Sequence, residues 1–412
     1  MTVYVLGGLR TAIVTAGTKF KKIRPEIFGA EVLRALRQKF SLTCVDGHFK
    51  SGGTIGSADS FPKCRRESAG IAHVDEIICG NAVGTGGNIA RLMSLTAGFD
   101  EATGALTVDR QCAGGAAAIS IGYAKISCGL ADVIIAGGAE SSSLQPLRVY
   151  NPNDERFNLT AVDVPGGYKT AQFSPDEFDA LAMLRGAERV AEAENISRDE
   201  TDAWALRSHQ RAAAAVENLR EYIVDVAGVH EDTGIKKNIS RRLLDRAPLP
   251  LGAGTRISAG NACRINDGAA FVVLTSEKFV RENSLTPVAK ILDTATVGVN
   301  PLESPRGAQV VADKLLTRNG LTYDKLSAIE FNEAFAIIDV LFERSHPACV
   351  DKFNPLGGAL AYGHPYGASG AILMIHLLAS LKNSGGLGLL SIAGAGGTGE
   401  AILIESLSNE RA

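Results

Sequence analysis

Closely spaced cysteine pairs are missing from this sequence. Its seven cysteines form no C-x-x-C pair, which argues against a zinc site or a thioredoxin-like redox motif; they are Cys44, Cys64, Cys79, Cys112, Cys128, Cys263 and Cys349. Acidic and histidine clusters at metal-ligand spacing are also absent, so no metal is predicted. An odd number of cysteines, behind a start without the basic region of a signal peptide, fits reduced thiols in a cytoplasm.

Long apolar runs and a strong net charge are absent as well. No apolar stretch reaches the roughly 18 residues that a membrane-spanning helix needs. The formal net charge is -3, which gives no electrostatic reason to expect nucleic acid or a membrane surface as a partner. We therefore expect a cytoplasmic protein without nucleic-acid or membrane partners.

The chain is rich enough in apolar residues for more than one core. Its 412 residues, 45% of them hydrophobic and 21% charged, exceed the length at which a single core stops growing. Helical stretches such as 113–128 and 366–382 alternate with apolar segments, which predicts an α/β architecture. The predicted buried strands are 3–7, 75–79, 105–109, 132–136, 270–275, 387–392 and 401–405.

Two stretches of the sequence, 105–140 and 351–400, follow one plan. Each contains a strand, a glycine-rich turn, a helix of small residues, a second strand and a turn of the A-G-x-G type. A helix of small residues can lie deep between layers because it lets neighbouring backbones come close. We favour an internal duplication; the alternative is the general similarity that any two βαβ units share.

The segment 143–258 differs in composition from the halves on either side. It is polar, and it contains an amphipathic helix predicted from Asp199 to Leu219, with Ser197 as its N-cap. This pattern predicts an inserted domain or a large lid. A second, smaller insertion rich in glycine and serine is predicted at 41–72, as a surface loop.

Cys112 is the first candidate for chemistry. It follows a predicted strand and precedes the helix that begins AGGAAAIS. The unpaired amides and the positive end of the helix dipole would lower the pKa of a thiol there and could hold an oxyanion. The ordinary alternative is that the thiol is a small buried apolar side chain, as most cysteines are.

His364 and Asn332 are the candidates in the second copy. His364 stands in GGALAYGHPYGASGA, at the point equivalent to Cys112, and Asn332 follows the apolar strand end SAIEF. A thiol and an imidazole at matching turns make a Cys–His arrangement for nucleophilic catalysis. Taken singly, His364 is better explained as a histidine in a surface turn, and the signal at Asn332 is weak.

Together these motifs resemble the thiolase family over nearly the whole chain. VDRQCAGGAAAISIGYAKI, FNEAFA and GGALAYGHPYGASGA are similar to its cysteine, Asn-Glu-Ala-Phe and Gly-His-Pro motifs, in the family's order. The resemblance implies a thiolase fold, two similar βαβ halves in a five-layered αβαβα arrangement with an inserted loop domain. It places the N-terminal half at 1–142 plus 259–284, the loop domain at 143–258 and the C-terminal half at 285–412.

The resemblance also implies ping-pong chemistry on coenzyme A thioesters, with acyl-CoA and coenzyme A as partners and no further cofactor. Cys112 would be acylated and His364 would activate it. His364 and Asn332, through a bound water, would form one oxyanion hole, and the amide of Cys112 with the loop at Ala395 and Gly396 would form the second. Thiolases assemble as dimers or dimers of dimers, so a homodimer or homotetramer is expected.

Other substrate contacts follow from the same resemblance. Met183 falls at the methionine that lines the acyl pocket, although Ala182 stands where the family usually has a histidine. Ser258, Ala259 and Cys263 fall in the stretch that touches the pantetheine arm. The sequence leaves the acyl chain length and the direction of the reaction open.

The chain departs from the family at one catalytic position. Thiolases usually carry a second cysteine in a Cys-x-Gly turn near the C-terminus, which moves the proton of the α-carbon. Here that stretch is LLSIAGAGGTGEAILIE, with Ala393 or Ser391 at the position. Neither can do this work, because alanine has no acidic proton and the pKa of an unassisted serine is far too high.

Three explanations for this departure compete. Cys263 could replace the missing acid/base, the enzyme could transfer acyl groups without an α-proton step, or the protein could only bind acyl-CoA. For Cys263 itself, an inert buried thiol is an equal alternative. A ketoacyl-synthase-like enzyme fits less well, since such enzymes usually carry a histidine where this chain has Asn332. We expect a thiolase-type acyltransferase that makes or cleaves 3-oxoacyl-CoA.

One further motif imitates a nucleotide site. Residues 394–399, GAGGTG, match G-x-G-x-x-G after an apolar strand. Only 13 residues follow, too few for the helix, the second strand and the acidic residue of a dinucleotide fold. We interpret these glycines instead as positions where backbone amides approach a thioester oxygen.

Overall fold

The computed structural model describes residues 1–42, 73–175 and 181–407. Nearly all of the insertion predicted at 41–72 therefore lies outside the described residues. Every strand predicted from the sequence is present, and most of them are longer than predicted. The helix predicted at 113–128 is also present, while the one predicted at 366–382 starts as a short 3-10 helix, Tyr366–Ala368.

Five strands form the N-terminal half-sheet, and the short strand β2 (Val14–Thr15) pairs with the start of one of them, β9 (Asn266–Ser276). Three neighbouring strands at one edge of this half-sheet run parallel, and β9 is antiparallel to both of its neighbours. β5 and β9 are buried along their whole length, which explains their long apolar runs. In spatial order the five are β4 (Gly104–Val108), β3 (Glu76–Gly80), β5 (Val133–Ser141), β9 (Asn266–Ser276) and β1 (Val3–Thr11).

The C-terminal half-sheet repeats this order and these directions. β11 (Ala328–Phe331) and β12 (Gly386–Gly394) are parallel, and β13 (Thr398–Ser406) is antiparallel to β12 and to β10 (Ala289–Gly298). Beyond β11, Ile329 forms a parallel bridge with Phe353, at the place that β4 takes in the first half. The predicted duplication is thus confirmed. The strands in spatial order are β11 (Ala328–Phe331), β12 (Gly386–Gly394), β13 (Thr398–Ser406) and β10 (Ala289–Gly298), and β10 also pairs with β1.

Helices fill three layers around the two half-sheets. α3 (Gly114–Ser127) and α11 (Ser369–Leu381) pack against each other in the middle, in one apolar cluster with strands of both halves. The five-layered αβαβα arrangement follows from these helices and from the outer ones. The outer helices are α1 (Pro25–Lys39) and α2 (Ile89–Thr96) on the first half, and α8 (Gly307–Arg318) and α9 (Ala336–Ser345) on the second.

The close approach of α3 and α11 depends on small residues, as the sequence predicts. A side chain at Gly370 would clash with the backbone of Ala116, and one at Gly115 would clash with the carbonyl of Gly367. Because the two helices touch, they bring the turns that precede them close together. These are the turns that carry Cys112 and His364.

The segment 143–258 contributes two long helices that pack onto the halves. The capping box predicted at Ser197 is present, with Glu200 as its partner. Ala187, Val190 and Trp204 share an apolar cluster with the outer face of the C-terminal half. Its elements are β6 (Arg148–Val149), β7 (Gly167–Tyr168), α4 (Ala182–Ala193), α5 (Arg198–Arg220), β8 (Ile223–Val224) and α6 (Arg241–Asp245).

The remaining regular elements are short. α7 (Glu277–Glu282) follows β9, and α10 (Ala359–Tyr362) precedes the turn of His364. Within the described ranges, no helix is both long and apolar enough to span a membrane. Further 3-10 helices lie at Glu155–Asn158, Pro301–Arg306, Tyr323–Lys325 and Pro347–Lys352.

Candidate active site

Cys112 lies in a tight turn between β4 and α3. The preceding residue, Gln111, has a φ of 49°, a left-handed conformation that non-glycine residues adopt only when it is supported. The carboxylate of Asp109 gives that support, because it accepts the backbone N–H of Gln111 at 2.9 Å. The sequence therefore presents the thiol on a backbone that its own neighbours hold in place.

The environment of Cys112 raises rather than lowers the pKa of its thiol. Burial raises this pKa from 9.0 to about 12, and the negative charges of Glu140 and Asp109 act in the same direction. The backbone N–H groups of Ala395 and of Cys112 itself donate to the sulfur and oppose the shift. The expectation of a thiolate favoured by the helix terminus is therefore wrong: desolvation outweighs the amides.

His364 is buried in the turn between α10 and α11. Gly363 has a φ of 102°, and a side chain there would clash with Asn266, so this position requires glycine. The Nδ1 atom of His364 lies 2.6 Å from Ser369 Oγ, and Ser369 Oγ in turn donates to the carbonyl of Pro365 at 3.2 Å. The Ser369 hydroxyl therefore accepts from Nδ1–H, which leaves Nε2 as the basic nitrogen.

The charge state of His364 follows from its burial. The side chain is 1% exposed, and burial lowers the pKa of its imidazole from 6.5 to about 3. The resting site thus holds a neutral imidazole at His364 and a neutral thiol at Cys112. Ionising this pair requires that the thiol give up its proton in the step that uses the thiolate.

Asn332 is brought to His364, as the motif order predicts. It follows the last residue of β11, where its backbone N–H donates to the carbonyl of Ser391 at 3.0 Å. Its side chain is buried, and Nδ2 donates to His364 Nε2 at 3.4 Å. The side-chain amide of Asn332 therefore lies next to the basic nitrogen of His364.

Cys263 lies between the Asn332 motif and the His364 turn. Its backbone N–H donates to the carbonyl of Ala334 at 2.9 Å, and the next residue, Arg264, accepts the N–H of His364 at 2.9 Å. Burial raises the pKa of the Cys263 thiol, and the charge of Cys112 raises it further. The two thiols are thus close enough to interact electrostatically, which is the arrangement that a replacement acid/base requires.

The loop of Ala395 and Gly396 is the tight turn between β12 and β13. Gly396 and the residue after it have φ angles of 81° and 73°, and the turn places Ala395 N–H on the sulfur of Cys112. The GAGGTG sequence thus forms a hairpin rather than the strand-to-helix turn of a nucleotide fold. At the two positions considered for the missing cysteine, Ser391 Oγ donates to Ala308 at 2.6 Å and Ala393 is buried.

The structure also locates the residues predicted to contact coenzyme A. Met183 lies at the start of α4, partly buried against the same apolar cluster as Cys263. Ser258 is buried, and its hydroxyl accepts the N–H of Gly260 at 3.1 Å. Ala259 is exposed. The Ser258 hydroxyl thus takes part in a hydrogen bond within its own turn, while Ala259 lies at the surface.

Sequence reasoning missed Glu140, which lies four residues after the predicted strand at 132–136 and is the second-last residue of β5. Burial raises the pKa of this carboxyl to about 7, although it accepts N–H groups at 2.8 to 3.1 Å from both halves of the molecule. The donors are the Asn81 side chain and the backbones of Ala82, Val83 and Gly367. Glu140 thereby ties the His364 turn to the end of β3, and a carboxylate that ends an apolar run is the signal that could have revealed it.

Two further residues surround the imidazole. Ser369 orients Nδ1, and the ring of Tyr366 packs edge-on to His364 at 5.1 Å between centroids. The charges of Cys112 and Cys263 reach Tyr366 as well, which places all three side chains around one site. Among the described residues, no three His, Cys, Asp or Glu side chains are arranged to hold a metal.

Comparison with known families identifies the family to which this site belongs. The family model described as "Thiolase, N-terminal domain" matches residues 65–278, and the one described as "Thiolase, C-terminal domain" matches residues 285–406. The chain belongs to the thiolase family. Its thiolase-type acyltransferase activity and its fold, both predicted from the motifs, are thereby confirmed.

Individual thiolases show how far the similarity extends. The chain is 33% identical over 414 residues to a steroid 3-ketoacyl-CoA thiolase of Mycobacterium tuberculosis, covering 98% of this chain and 94% of that protein. The solved acetyl-CoA acetyltransferase of Bacillus anthracis superposes with a TM-score of 0.84 at 26% identity, covering 98% and 99%. A thiolase of Ascaris suum, solved in complex with coenzyme A, gives 0.81 at 28%, covering 99% and 100%.

Proposed function

We propose that this thiolase transfers acyl groups between coenzyme A thioesters through an acyl-Cys112 intermediate, and that Cys263 supplies the acid/base for carbon–carbon chemistry. The observation that carries the proposal is the placement of Cys263. It interacts with the thiol of Cys112 and is anchored by its backbone to the motif of Asn332. No cofactor is required, since the thioester is the substrate.

Thiolysis can then be written so that protons and electrons balance. His364 Nε2 takes the proton of the Cys112 thiol, and the thiolate attacks the 3-oxo carbonyl carbon. The electron pair of the broken carbon–carbon bond passes to the acetyl-CoA enolate. The Cys263 thiol protonates the enolate carbon and is left as a thiolate.

The second half-reaction restores both cysteines. Coenzyme A attacks the acyl-Cys112 thioester, and its thiol proton goes to the Cys263 thiolate. Cys112 leaves as a thiolate and recovers its proton from the His364 imidazolium. Condensation is the same sequence in reverse, with the Cys263 thiolate removing the α-proton of acetyl-CoA.

The oxyanions of these steps have N–H donors nearby. His364 Nε2 and the Asn332 amide lie 3.4 Å apart and would bind the enolate oxygen, the amide acting through a water. The backbone N–H groups of Ala395 and Cys112 already point at the sulfur and would bind the thioester oxygen of the acyl group. Preformed donors of this kind stabilise charge that develops in the transition state.

Substrate contacts and location complete the proposal. The acyl chain would pack on Met183, and the pantetheine arm would pass Ala259. The five cysteines described in the structure are all free thiols, which supports a reducing compartment such as the cytoplasm. The proposed domains are the N-terminal half at 1–142 plus 259–284, the loop domain at 143–258 and the C-terminal half at 285–412.

We further propose a homodimer or homotetramer that assembles through the first half. β4 is the edge strand of its half-sheet, and all five of its residues are only partly buried. On the neighbouring α2, Leu92 is 51% exposed. An open, apolar edge strand is usually covered by another chain. Sedimentation of the protein should show no monomer at micromolar concentration, and a monomer would reject the assembly.

Incubation with acetyl-CoA followed by intact-mass measurement tests the acyl-transfer proposal. The unaltered protein should gain the mass of one acetyl group, and coenzyme A should remove it. The Cys112→Ala variant should gain nothing, whereas Cys128→Ala, which removes an exposed thiol, should react normally. The absence of an adduct on the unaltered protein would reject the proposal and leave acyl-CoA binding without catalysis.

A further inference from the structure

Arg264 is a partly buried cation without a carboxylate partner. Burial lowers the pKa of its guanidinium group, and the opposite charge that acts on it comes from Cys263. No acidic side chain lies within ion-pair distance of it in the part of the chain that the structure describes. Buried guanidinium groups are normally paired with an acidic side chain, so a guanidinium without one beside the proposed acid/base needs a structural explanation.

The backbone of Arg264 connects two parts of the site. Cys263, one residue earlier, is bonded to Ala334, which follows Asn332 by two positions. The carbonyl of Arg264 itself accepts the N–H of His364 at 2.9 Å, and Ile265 forms a bridge with His364. A displacement of Arg264 would therefore move the base and the proposed acid/base together.

The side chain of Arg264 holds the same turn from a second side. Its Nη2 atom donates to the carbonyl of Ala361 at 3.2 Å and also to the carbonyl of Gly234. Ala361 lies in α10, the short helix that ends two residues before His364. Because carbonyls at a helix end lack partners within the helix, a cationic donor there stabilises both the end and the turn that follows.

Gly234 shows that this contact is a close one. A side chain at Gly234 would clash with the carbonyls of Ala361 and Tyr362, so its segment packs backbone to backbone on α10. The planar guanidinium of Arg264 spans both segments with one nitrogen. A lysine ammonium keeps the charge as a compact group on a flexible stem, so it would hold the two carbonyls less rigidly than the planar guanidinium does.

Arg264 also acts electrostatically on the thiol of Cys263. After burial, the charges of Cys112 and Glu333 raise the pKa of the Cys263 thiol, and Arg264 is the cation that lowers it. Tyr366 also interacts with Cys263 and is itself held neutral by burial. Arg264 therefore opposes the negative charge that the thiolate of Cys263 faces. Lys236 and His209 are the other titratable groups on which the charge of Arg264 acts.

We infer that Arg264 is a positioning residue for the thiolase reaction: it holds the His364 turn on the Cys263 strand, and its unpaired charge supports the thiolate of Cys263. The inference rests on the proposed function, because it assumes that Cys263 moves the α-proton. It predicts that two substitutions will separate the effect of the hydrogen bonds of Arg264 from the effect of its charge. Arg264→Met removes both, and Arg264→Lys removes mainly the geometry.

The test is the pH dependence of acetyl-CoA condensation by the full chain, measured with kcat and KM for both variants. Arg264→Met should lower kcat by about 10- to 100-fold, as expected for a lost charged hydrogen bond, and should change KM less than about threefold. The rising limb of the pH–kcat profile of Arg264→Met should move to higher pH by about one unit, since the loss of the cation raises the pKa of the Cys263 thiol. Arg264→Lys should keep the limb near that of the unaltered protein while kcat stays low.

The control is Arg318→Met, which removes a 48% exposed arginine that pairs with Asp293 and should leave rate and pH profile unchanged. An unchanged pH limb and kcat in Arg264→Met would overturn the inference while the proposed function stands. If Arg264→Met does not fold, a limb in Arg264→Lys that shifts as far as one unit overturns the electrostatic part. Failure of the unaltered protein to condense acetyl-CoA would instead reject the proposed function.

Discussion

The resting thiol of Cys112 should be protonated throughout the physiological pH range. Burial raises its pKa to about 12, so at pH 7 roughly one molecule in 10⁵ carries the thiolate, a cost of about 7 kcal/mol. A thiol at the ordinary value of 9.0 would be ionised in about one molecule in 100. The site therefore suppresses the free thiolate by about three orders of magnitude.

Alkylation by iodoacetamide measures this directly, because only the thiolate reacts. Without substrate, the alkylation rate of Cys112 should rise about tenfold per pH unit from pH 6.5 to 9.5. Peptide mass spectrometry separates Cys112 from Cys263, and the exposed Cys128 provides an internal reference in the same sample. A rate that levels off near pH 7 would show a preformed thiolate–imidazolium pair and would refute the reasoning.

A variant of the base completes this experiment. If the proton of Cys112 moves to His364 only during attack, His364→Asn should slow acetylation by acetyl-CoA about 10²- to 10⁴-fold. The same variant should leave the slope of alkylation against pH unchanged, since His364 is already neutral, with a pKa of about 3. A loss of alkylation equal to the loss of acetylation would contradict this order of events.

Two further predictions concern the supports of the imidazole. Ser369→Ala removes the partner of His364 Nδ1 and should lower kcat for acetoacetyl-CoA thiolysis about tenfold, with KM and the melting temperature nearly unchanged; an unchanged kcat would contradict the assigned tautomer. Glu140→Gln places an amide against the N–H groups that converge on this carboxylate, including that of Gly367. It should cost about 1–3 kcal/mol of unfolding free energy in urea titration, and an equally stable variant would show that Glu140 does not hold the turn.

Much of the fold was predictable because its strands and helices differ in local sequence composition. The strand that leads to Cys112 and the helix after it differ in composition, and a second helix of small and apolar residues follows His364. The duplication then places both turns at one site. By contrast, β10 was not predicted, because most of its residues are only partly buried or exposed and its sequence has no continuous apolar run.

The electrostatics of the site were not predictable from position. A cysteine before a helix predicts a lowered pKa at Cys112, but the number of atoms packed around the thiol decides the sign, and that depends on the β12–β13 turn and on Glu140. Arg264 was missed for a similar reason. Its partners are backbone carbonyls at 234 and 361, which carry no sequence signal.

The most direct test of the account is thiolysis of acetoacetyl-CoA by Cys263→Ala, followed with acetylation of the same variant by acetyl-CoA. Acetylation of Cys112 should stay within about threefold of the unaltered protein, while thiolysis should fall at least about 100-fold, as expected for the loss of a general acid/base. Adding Ala393→Cys, which places a thiol at one of the two positions that match the family's usual cysteine, should recover part of the thiolysis. A Cys263→Ala variant that cleaves acetoacetyl-CoA at the full rate would contradict the central claim.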